Sequence, residues 1–401
     1  MKICIAGKNN IAVEITEYLF TTLNIDKKDI FIITNKTDIG KDSWQRSLLK
    51  FARENNIPIL SLEDTYSYKD MLFLSLEFDQ IINPNKFSTT CLYNIHFSLL
   101  PKYKGMFTSI IPILQNEVFS GVTLHKIDSG IDTGDIIAQK RFNIKQCDSS
   151  RDLYLKYIFF GTNLIKEYLP KLLRNEILQT LPQKSKNSSY YSKQSINFSD
   201  FSIDLNQTAI NIHNQIRAYN FREYQQPIIF TSKIISSKVS SIRSKQKPAR
   251  IIFENAISYV ISTIDYNLIL YKDKSEELFI ACESGDSFQV QQLIQIPKII
   301  NVQNTKGWSP LIVAIYNNHI EIVKILLLSG ADIKIKNFNG TTCLMYAKSC
   351  YSKHQDSTLL ELFLELDDDI LQQDYVGKNV IDYCLENKEL SALKLIEDKY
   401  K

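Results

Sequence analysis

Short apolar segments alternate with helical patterns along the first third of the chain. The apolar segments, rich in Ile and Phe, have the length and composition of buried strands. They lie at residues 3–6, 30–33, 57–60, 78–82 and 91–95. Between them, residues 11–23 and 43–55 carry apolar side chains at helical spacing, with Trp44 in the second segment. Because strands and helices alternate, the pattern predicts an α/β fold with a mainly parallel sheet.

The polarity of residues 183–189 indicates a linker after a helix predicted over residues 151–173. Beyond the linker, strand-like apolar segments predict a small β-rich unit that runs to about residue 273. We therefore expect three domains, and their boundaries are 1–183, 184–273 and 274–401.

The last third of the chain is repetitive. Residues 309–314 (SPLIVA) recur as residues 342–347 (TCLMYA), and the alanines of the two copies are 33 positions apart. This period and pattern resemble the ankyrin repeat, whose units stack as pairs of helices. We expect about four units from Glu276 onward, with the outer ones as caps and a groove that normally receives a protein partner.

Composition excludes several classes of protein. The net charge of +3 is too close to neutral to indicate a nucleic-acid partner. No run of about 18 apolar residues occurs, so we expect no membrane span. Seven scattered cysteines form no CxxC pair, which favours reduced thiols, no metal site and a cytoplasmic location.

Two segments carry the candidate chemistry, residues 94–105 (NIHFSLLPKYKG) and residues 121–137. Asn94 and His96 are two apart in a predicted strand, so both side chains face the same side. Asp132 lies in a glycine-rich turn that can direct a carboxylate back at them. An amide that donates to an oxyanion and an imidazole that accepts a proton suit transfer of a carbonyl carbon to an amine. The alternative is a pair of polar residues at a strand end and an ordinary hairpin turn.

The loop after the first strand (GKNNI) lacks the glycine repeat of dinucleotide-binding folds, so a nicotinamide cofactor is not expected. Asn9 and Asn10 in this loop either contact a substrate or cap the following helix.

These segments resemble the folate-dependent formyltransferases, whose hallmarks are N-x-H-x-S-L-L-P-x-x-x-G followed by D-x-G-x-D-x-G. The resemblance covers roughly residues 1–180, with Phe97 in place of a proline common in relatives. It implies a Rossmann-like domain that uses 10-formyltetrahydrofolate, with direct attack by the acceptor amine and Asp132 orienting the base. The residues implied are Asn94, His96 and Asp132 for catalysis, Phe78, Ile81, Asp128 and Asp132 for the folate, and Asn9 and Tyr103 for the acceptor.

Family members formylate glycinamide ribonucleotide, initiator methionyl-tRNA or a nucleotide-linked amino sugar. The small middle unit and the repeats favour the sugar branch, in particular bacterial enzymes that act on dTDP-3-amino-3,6-dideoxyhexoses for O-antigen and lipopolysaccharide biosynthesis. Residues 216–227 resemble the stretch that holds the pyrimidine base in those enzymes, with Asn220 at the base edge and Phe221 or Tyr224 stacked on the ring. Arg217 or Arg222 is a candidate for the diphosphate. The alternative for this segment is a structural aromatic turn.

Other readings of the chain stay open at this point. A dTDP-4-amino-4,6-dideoxyglucose formyltransferase, a methionyl-tRNA formyltransferase and an inactive ankyrin scaffold are the alternatives. Trp308 precedes a helix start in the repeats, where an exposed indole is expected to offer a second nucleotide-sugar site. We also expect a homodimer.

Overall fold

The computed structural model describes residues 1–200, 202–366 and 369–399. The chain divides into two units, Met1–Pro227 and Ile228–Lys401. Residues 184–227 fall in the first unit, and the antiparallel strands of the second unit begin at Ile228. The three domain boundaries expected from the sequence remain a prediction.

A six-stranded sheet forms the centre of the first unit. The described part of this unit has eight strands, of which six form this sheet and two form a small separate one. They are β1 (Lys2–Gly7), β2 (Ile30–Thr34), β3 (Met71–Leu76), β4 (Leu92–His96), β5 (Lys104–Gly105), β6 (Phe119–Lys126), β7 (Ile136–Asn143) and β8 (Tyr190–Tyr191). The large sheet has the order β2-β1-β3-β4-β6-β7, and β5 pairs with β8. The first four strands of this order are parallel, and β6 and β7 are antiparallel additions at one edge. The predicted α/β fold with a mainly parallel sheet is therefore confirmed.

Five helices accompany this sheet in the described part of the first unit. They are α1 (Asn9–Thr21), α2 (Leu48–Glu54), α3 (Ile111–Leu114), α4 (Ser150–Leu173) and α5 (Ala209–Ala218). The apolar faces of α1 and α4 pack on the sheet in one large core. The side chain of Ser149 accepts a hydrogen bond from the backbone N–H of Asp152, and the Asp152 carboxylate binds the Ser149 N–H in return, so this capping box sets the start of α4.

Three predicted elements differ from the structure. At residues 57–60, predicted as a strand, only Ile59 forms an isolated bridge with Ile32. The strand predicted at 78–82 is wrong, because the strand is β3 and residues 78–82 form the loop at its carboxyl end. All six residues of β3 (MLFLSL) are buried, but they are rich in leucine, which is a weaker strand signal than Ile or Val. The helix predicted at 43–55 begins only at Leu48, because the Ser47 side chain accepts the Lys50 N–H there. Trp44 therefore lies in an irregular segment.

The second unit combines an antiparallel sheet with a helical array. Its strands are β9 (Ile228–Ile229), β10 (Ser232–Arg243), β11 (Ile251–Glu254), β12 (Ser258–Ile261) and β13 (Tyr266–Lys272), in the order β11-β12-β13-β10-β9. Its helices are α6 (Ser275–Ser284), α7 (Ser287–Leu293), α8 (Pro310–Tyr316), α9 (Ile320–Leu328), α10 (Cys343–His354), α11 (Thr358–Leu366), α12 (Val380–Glu386) and α13 (Leu390–Lys399). The four helix pairs confirm the predicted repeats.

Recurring turn and cap residues explain the period of these repeats. Ser309, Thr342 and Asn379 occupy equivalent positions before α8, α10 and α12, and each side chain accepts a backbone N–H three residues further on. Each cap follows a glycine with positive φ two positions earlier, at 307, 340 and 377. The repeat period is thus the distance between successive turns of this kind.

The central helices of the array should depend on Phe363, whose side chain is fully buried in α11. Replacement by alanine leaves a cavity, and we expect the array to lose about 3–5 kcal/mol of stability. Hydrogen exchange of α10 and α11 in the full chain measures this loss. Phe288→Ala, at a position that is 72% exposed in the same array, is the control and should change stability by less than about 0.5 kcal/mol. Equal effects of the two variants would contradict this packing.

Candidate active site

A cavity of about 600 Å³ opens where β3 and β4 end. Polar side chains that lie close together in space line it, namely Asn94, His96, His125 and Asp132. Asn94 and His96 come from β4, His125 from β6 and Asp132 from the turn between β6 and β7. Carboxyl ends of parallel strands are the usual place for ligands in open α/β sheets.

The three predicted catalytic side chains converge in this cavity. Nδ1 of His96 lies 3.4 Å from Oδ2 of Asp132. The amide nitrogen of Asn94 lies 3.4 Å from Oδ1 of the same carboxylate. One carboxylate thus contacts both the amide and the imidazole. The three side chains therefore form one group and are not unrelated polar positions at a strand end and a turn.

The backbone holds Asp132 in this position. Asp132 has φ of 54°, a left-handed conformation that non-glycine residues rarely adopt. The N–H of Gly105 donates to Oδ2 at 2.9 Å, and the Gln183 amide donates to the carbonyl oxygens of Asp132 and Gly134 at 2.9 and 2.8 Å. These contacts stabilise the unusual turn and direct the carboxylate at the two imidazoles.

The hydrogen bonds of His96 indicate which nitrogen carries its proton. Nε2 lies 2.8 Å from the carbonyl oxygen of Tyr103, which can only accept, so the proton is on Nε2 and the lone pair is on Nδ1. Burial lowers the pKa of His96, and Asp132 only partly offsets this effect. The ring is therefore neutral near pH 7, with its basic nitrogen beside Asp132.

Asp132 carries the charge of the site. Burial alone would raise the pKa of its carboxyl group, but His96, His125 and the Gly105 N–H together lower it to about 2. A permanent negative charge beside Nδ1 of His96 stabilises the imidazolium ion that forms when this nitrogen takes up a proton.

His125 is a fourth member of the site that the sequence reasoning missed. Its Nδ1 lies 2.7 Å from the carbonyl oxygen of Lys126, so Nε2 carries the lone pair and accepts from the Asn94 amide at 3.0 Å. This bond orients the Asn94 amide with its nitrogen toward the carboxylate. The signal was the antiparallel pairing of Asn94 with His125, which becomes visible only once the strand register is known.

The residues predicted to hold the folate line the same cavity. Phe78 and Ile81 belong to the loop after β3, and the Ile81 side chain is 78% exposed. The Asp128 carboxylate accepts hydrogen bonds from the Gly130 N–H at 3.1 Å and the Thr133 hydroxyl at 2.6 Å. One wall of the cavity is thus apolar, and the opposite wall is an acidic turn.

The residues predicted to contact the acceptor lie beside the cavity. Asn9 does not cap α1, whose start lacks a side-chain cap. Instead its amide donates to Glu77 at 3.2 Å and to the Tyr154 hydroxyl at 2.8 Å. The side chain of Tyr103 donates to Glu117 at 2.7 Å and stacks on Tyr191, so its carbonyl is the group that reaches the site.

Aromatic rings cluster near the Asn220 segment. Trp44 lies 5.4 Å from Phe221 and 5.9 Å from Tyr224 between ring centroids, and Tyr154 lies 5.6 Å from Phe221. Tyr224 is 65% exposed, whereas Asn220 and Phe221 are buried. The sequence reasoning missed Trp44 and Tyr154 because they are far from Phe221 in the chain.

Arg217 does not suit the predicted contact with a diphosphate. Its side chain is buried and donates to Asn214 and to the carbonyl oxygens of Lys145 and Asp148. These hydrogen bonds fix a loop to α5 and leave the guanidinium group inside the protein. The expectation for Arg217 is therefore corrected to a structural role.

Trp308 in the second unit is half-buried, not exposed as predicted. Its ring contacts Tyr316 and Tyr346 at centroid distances of 4.8 and 5.3 Å, which covers part of the indole. Lys306 lies over the Trp308 ring at 5.3 Å, and Lys353 lies over Tyr316 at 5.4 Å. The three rings and two cations form one group, here called the Trp308 cluster.

The described residues contain neither a membrane-spanning helix nor a cluster of metal-binding side chains. No helix of residues 1–200, 202–366 and 369–399 is long and apolar enough to cross a membrane. Within the same ranges, no group of three or more His, Cys, Asp or Glu side chains is arranged to hold a metal ion.

Comparison with known proteins agrees with this geometry. Residues 71–169 match the family model for formyl transferase, and residues 259–337 and 278–374 match that for ankyrin repeats. The methionyl-tRNA formyltransferase of Fervidobacterium nodosum is 28% identical over 233 residues, which are 55% of this chain and 72% of that protein.

Two solved structures are considerably more similar. The N-formyltransferase from Helicobacter canadensis, in complex with folinic acid and dTDP-3-aminofucose, is 45% identical with a TM-score of 0.64, over 68% of this chain and 100% of that chain. WlaRD, a sugar 3N-formyl transferase solved with dTDP and 5-N-formyl-THF, is 47% identical with a TM-score of 0.64, over 68% of this chain and 97% of that chain. The protein is therefore an N-formyltransferase that carries ankyrin repeats. It belongs to the sugar N-formyltransferase family.

The neutral state of His96 can be measured directly. Because burial lowers its pKa, the ring should titrate below its usual value of about 6.5, with the proton on Nε2 at pH 7. Asp132→Asn removes the charge that favours the imidazolium ion, so we expect the pKa of His96 to fall further. Nitrogen-15 NMR of the imidazole rings reports both, with His96→Gln to assign the signal. A His96 ring that is charged at pH 7 would contradict the proposed electrostatics.

Proposed function

We propose that the protein transfers the formyl group of 10-formyltetrahydrofolate to the amine of a dTDP-linked 3-amino-3,6-dideoxyhexose. The observation that carries this proposal is the similarity to two sugar N-formyltransferases over nearly their whole length, together with the trio around Asp132. Those relatives were solved with dTDP-3-aminofucose or dTDP and with a folate. A 4-amino sugar is the nearest alternative acceptor.

Each residue of the trio has a defined role in this reaction. His96 takes a proton from the attacking nitrogen through Nδ1 and returns it to the nitrogen that leaves. Asn94 donates to the carbonyl oxygen as this oxygen becomes an oxyanion, and its long 3.4 Å contact with Asp132 is the one given up for this. Asp132 stabilises the imidazolium ion between the two proton transfers. The amine attacks directly, and no acyl-enzyme forms.

The two substrates would enter the site from different sides. The folate fits the wall formed by Phe78, Ile81 and the acidic turn at Asp128, where a flat ring with polar edges finds both an apolar surface and polar backbone groups. The nucleotide fits the aromatic cluster, with Tyr224 as the exposed ring for stacking. Asn220 remains our candidate for the base edge, and the buried Phe221 ring lies 4.9 Å from that of Tyr224.

Cellular context follows from the acceptor. A formylated dideoxy sugar on dTDP is a precursor for surface polysaccharide, so we place the reaction in O-antigen biosynthesis. The seven cysteines are all unpaired, which favours a cytoplasmic setting.

The edge strand β11 exposes Ile251, Ile252 and Phe253, and we propose that a second copy of the chain covers it in a homodimer.

The activity test uses mass spectrometry with a panel of dTDP-amino sugars and the formyl donor. The wild-type protein should add one formyl unit to a 3-amino sugar, and His96→Ala should lower kcat by about 10²–10⁴-fold because the base is lost. Asn94→Ala should lower it by about 10²–10³-fold because the oxyanion loses a donor. Unchanged rates in both variants would contradict the roles of Asn94 and His96. No formyl transfer by the wild-type protein would instead favour an inactive scaffold, and salt-dependent tRNA binding would favour the initiator-tRNA alternative.

We also propose a second nucleotide-sugar site at the Trp308 cluster. Three aromatic rings and the Lys306 and Lys353 ammonium groups offer surfaces for a base and charges for a diphosphate. Trp308→Ala should remove one of two classes of dTDP binding sites in calorimetry and change how the rate depends on sugar concentration. Phe288→Ala in the same array is the control. A single class of site in the wild-type protein would contradict this proposal.

A further inference from the structure

One half-buried acid in the cavity has no role in the chemistry described so far. Glu77 follows the last residue of β3 and lines the cavity together with Asn94 and His96. It has φ of 59°, so the backbone turns sharply where β3 ends. A residue in this left-handed conformation does not continue the extended strand.

Strand register brings Glu77 and the catalytic imidazole to the same end of the sheet. Ser75 pairs with Asn94 across β3 and β4, and Glu77 and His96 each stand two residues further along. Although β3 ends at Leu76, Glu77 lines the same cavity as His96 at this end of the sheet. Gly7 pairs with Leu76 on the other side, which brings Asn9 to the same edge. Glu77 thus contacts the acceptor loop at Asn9 and lines the cavity together with His96.

The contacts of Glu77 leave one of its oxygens available. Oε2 accepts from the Tyr154 hydroxyl at 2.7 Å and from the Asn9 amide at 3.2 Å. Among the described residues, no group donates a hydrogen bond to Oε1. A carboxylate has about four acceptor positions, so Glu77 is anchored by one oxygen and can bind a ligand through the other. Burial raises the pKa of Glu77, although Tyr154, Lys8 and Asn9 oppose this effect.

A structural role alone does not account for this arrangement. Tyr154 and Asn9 already contact each other at 2.8 Å, so a neutral acceptor at position 77 would complete the same network. A carboxylate in a partly enclosed cavity loses hydration, and it is stable there when a cation is bound. Lys8 is the nearby cationic side chain that acts on it, yet no ion pair joins Lys8 and Glu77 among the described contacts.

The cation that fits is the acceptor itself. An aliphatic amine is mostly protonated near neutral pH, and an ammonium nitrogen has no lone pair with which to attack a carbonyl carbon. We propose that Glu77 binds the acceptor sugar as its ammonium ion and takes the first proton from this nitrogen. This inference rests on the proposed function, since it requires an amine as the acceptor.

The proton balance divides the work between two bases. The ammonium nitrogen gives one proton to Oε1 of Glu77 and becomes a neutral amine. When the nitrogen forms its bond to the formyl carbon, its second proton passes to Nδ1 of His96 and from there to the leaving nitrogen of the folate. The proton on Glu77 returns to solvent as the net proton released in the reaction. Glu77 therefore prepares the nucleophile, and His96 serves the transfer step.

The test compares two ligands that differ only at the acceptor atom. These are the dTDP-amino sugar and the matching dTDP-sugar with a hydroxyl in place of the amine, each titrated by calorimetry into the protein saturated with folinic acid. The wild-type protein should bind the amine at least about tenfold more tightly, as expected for a charge-assisted hydrogen bond. Glu77→Gln keeps the size and the acceptor for Tyr154 but loses the charge, so both sugars should bind equally. Its kcat/KM should fall about 100-fold with the KM for the formyl donor unchanged.

Matched variants separate this role from folding and from general charge. Asp79→Asn removes an exposed acid from the same loop and should keep the preference for the amine. Glu77→Asp keeps the charge and should retain part of the preference, and binding of dTDP alone checks that each variant is folded. A Glu77→Gln variant that still prefers the amine, in a wild-type background that formylates it, would overturn the role of Glu77 alone. Absence of any formyl transfer by the wild-type protein would overturn the proposed function as well.

Discussion

The carboxylate of Asp132 is held between two imidazoles and one backbone N–H, with only 12% of its side chain exposed. Burial penalises its charge, and His96, His125 and the Gly105 N–H together more than compensate. This balance requires β4 and β6 to pair in one register, because Asn94 faces His125 only in that register. It also requires the left-handed backbone at Asp132, which the Gln183 amide helps to maintain. The cavity, the tautomers and the direction of proton transfer follow from these constraints.

A second acid in the same cavity has the opposite environment. The pKa of Asp132 is lowered to about 2, whereas burial raises the pKa of Glu77. Carboxylates whose environments separate their pKa values usually have different tasks in one reaction. Asp132 stabilises a charge that forms on His96 during transfer, and we have inferred that Glu77 handles the charge that the acceptor brings. The catalytic site is thus polarised, with a permanent anion behind the imidazole and a titratable one on the acceptor side.

The sequence alone predicts those features of the fold and the site whose residues lie within one short segment. Asn94 and His96 share one strand, and the ankyrin turns repeat a glycine and a cap at fixed spacing, so both could be predicted. Site residues that depend on strand register, or on contacts between distant segments, could not be predicted from the sequence. His125 is opposite Asn94 across two strands, Glu77 follows a leucine-rich strand that was predicted several residues too late, and the partners of Trp44 are far along the chain. Burial of the Trp308 ring likewise depends on neighbouring repeats.

The central claim is that a formyl carbon lies between the amide of Asn94 and the imidazole of His96, with Asp132 behind the ring. A crystal structure of the protein with dTDP and a non-reactive folate analogue that carries its formyl group on N10 tests it most directly. We predict the formyl group about 3–3.5 Å from Nδ1 of His96 and within hydrogen-bond distance of the Asn94 nitrogen. A folate bound elsewhere, or a formyl group directed away from this pair, would contradict the account.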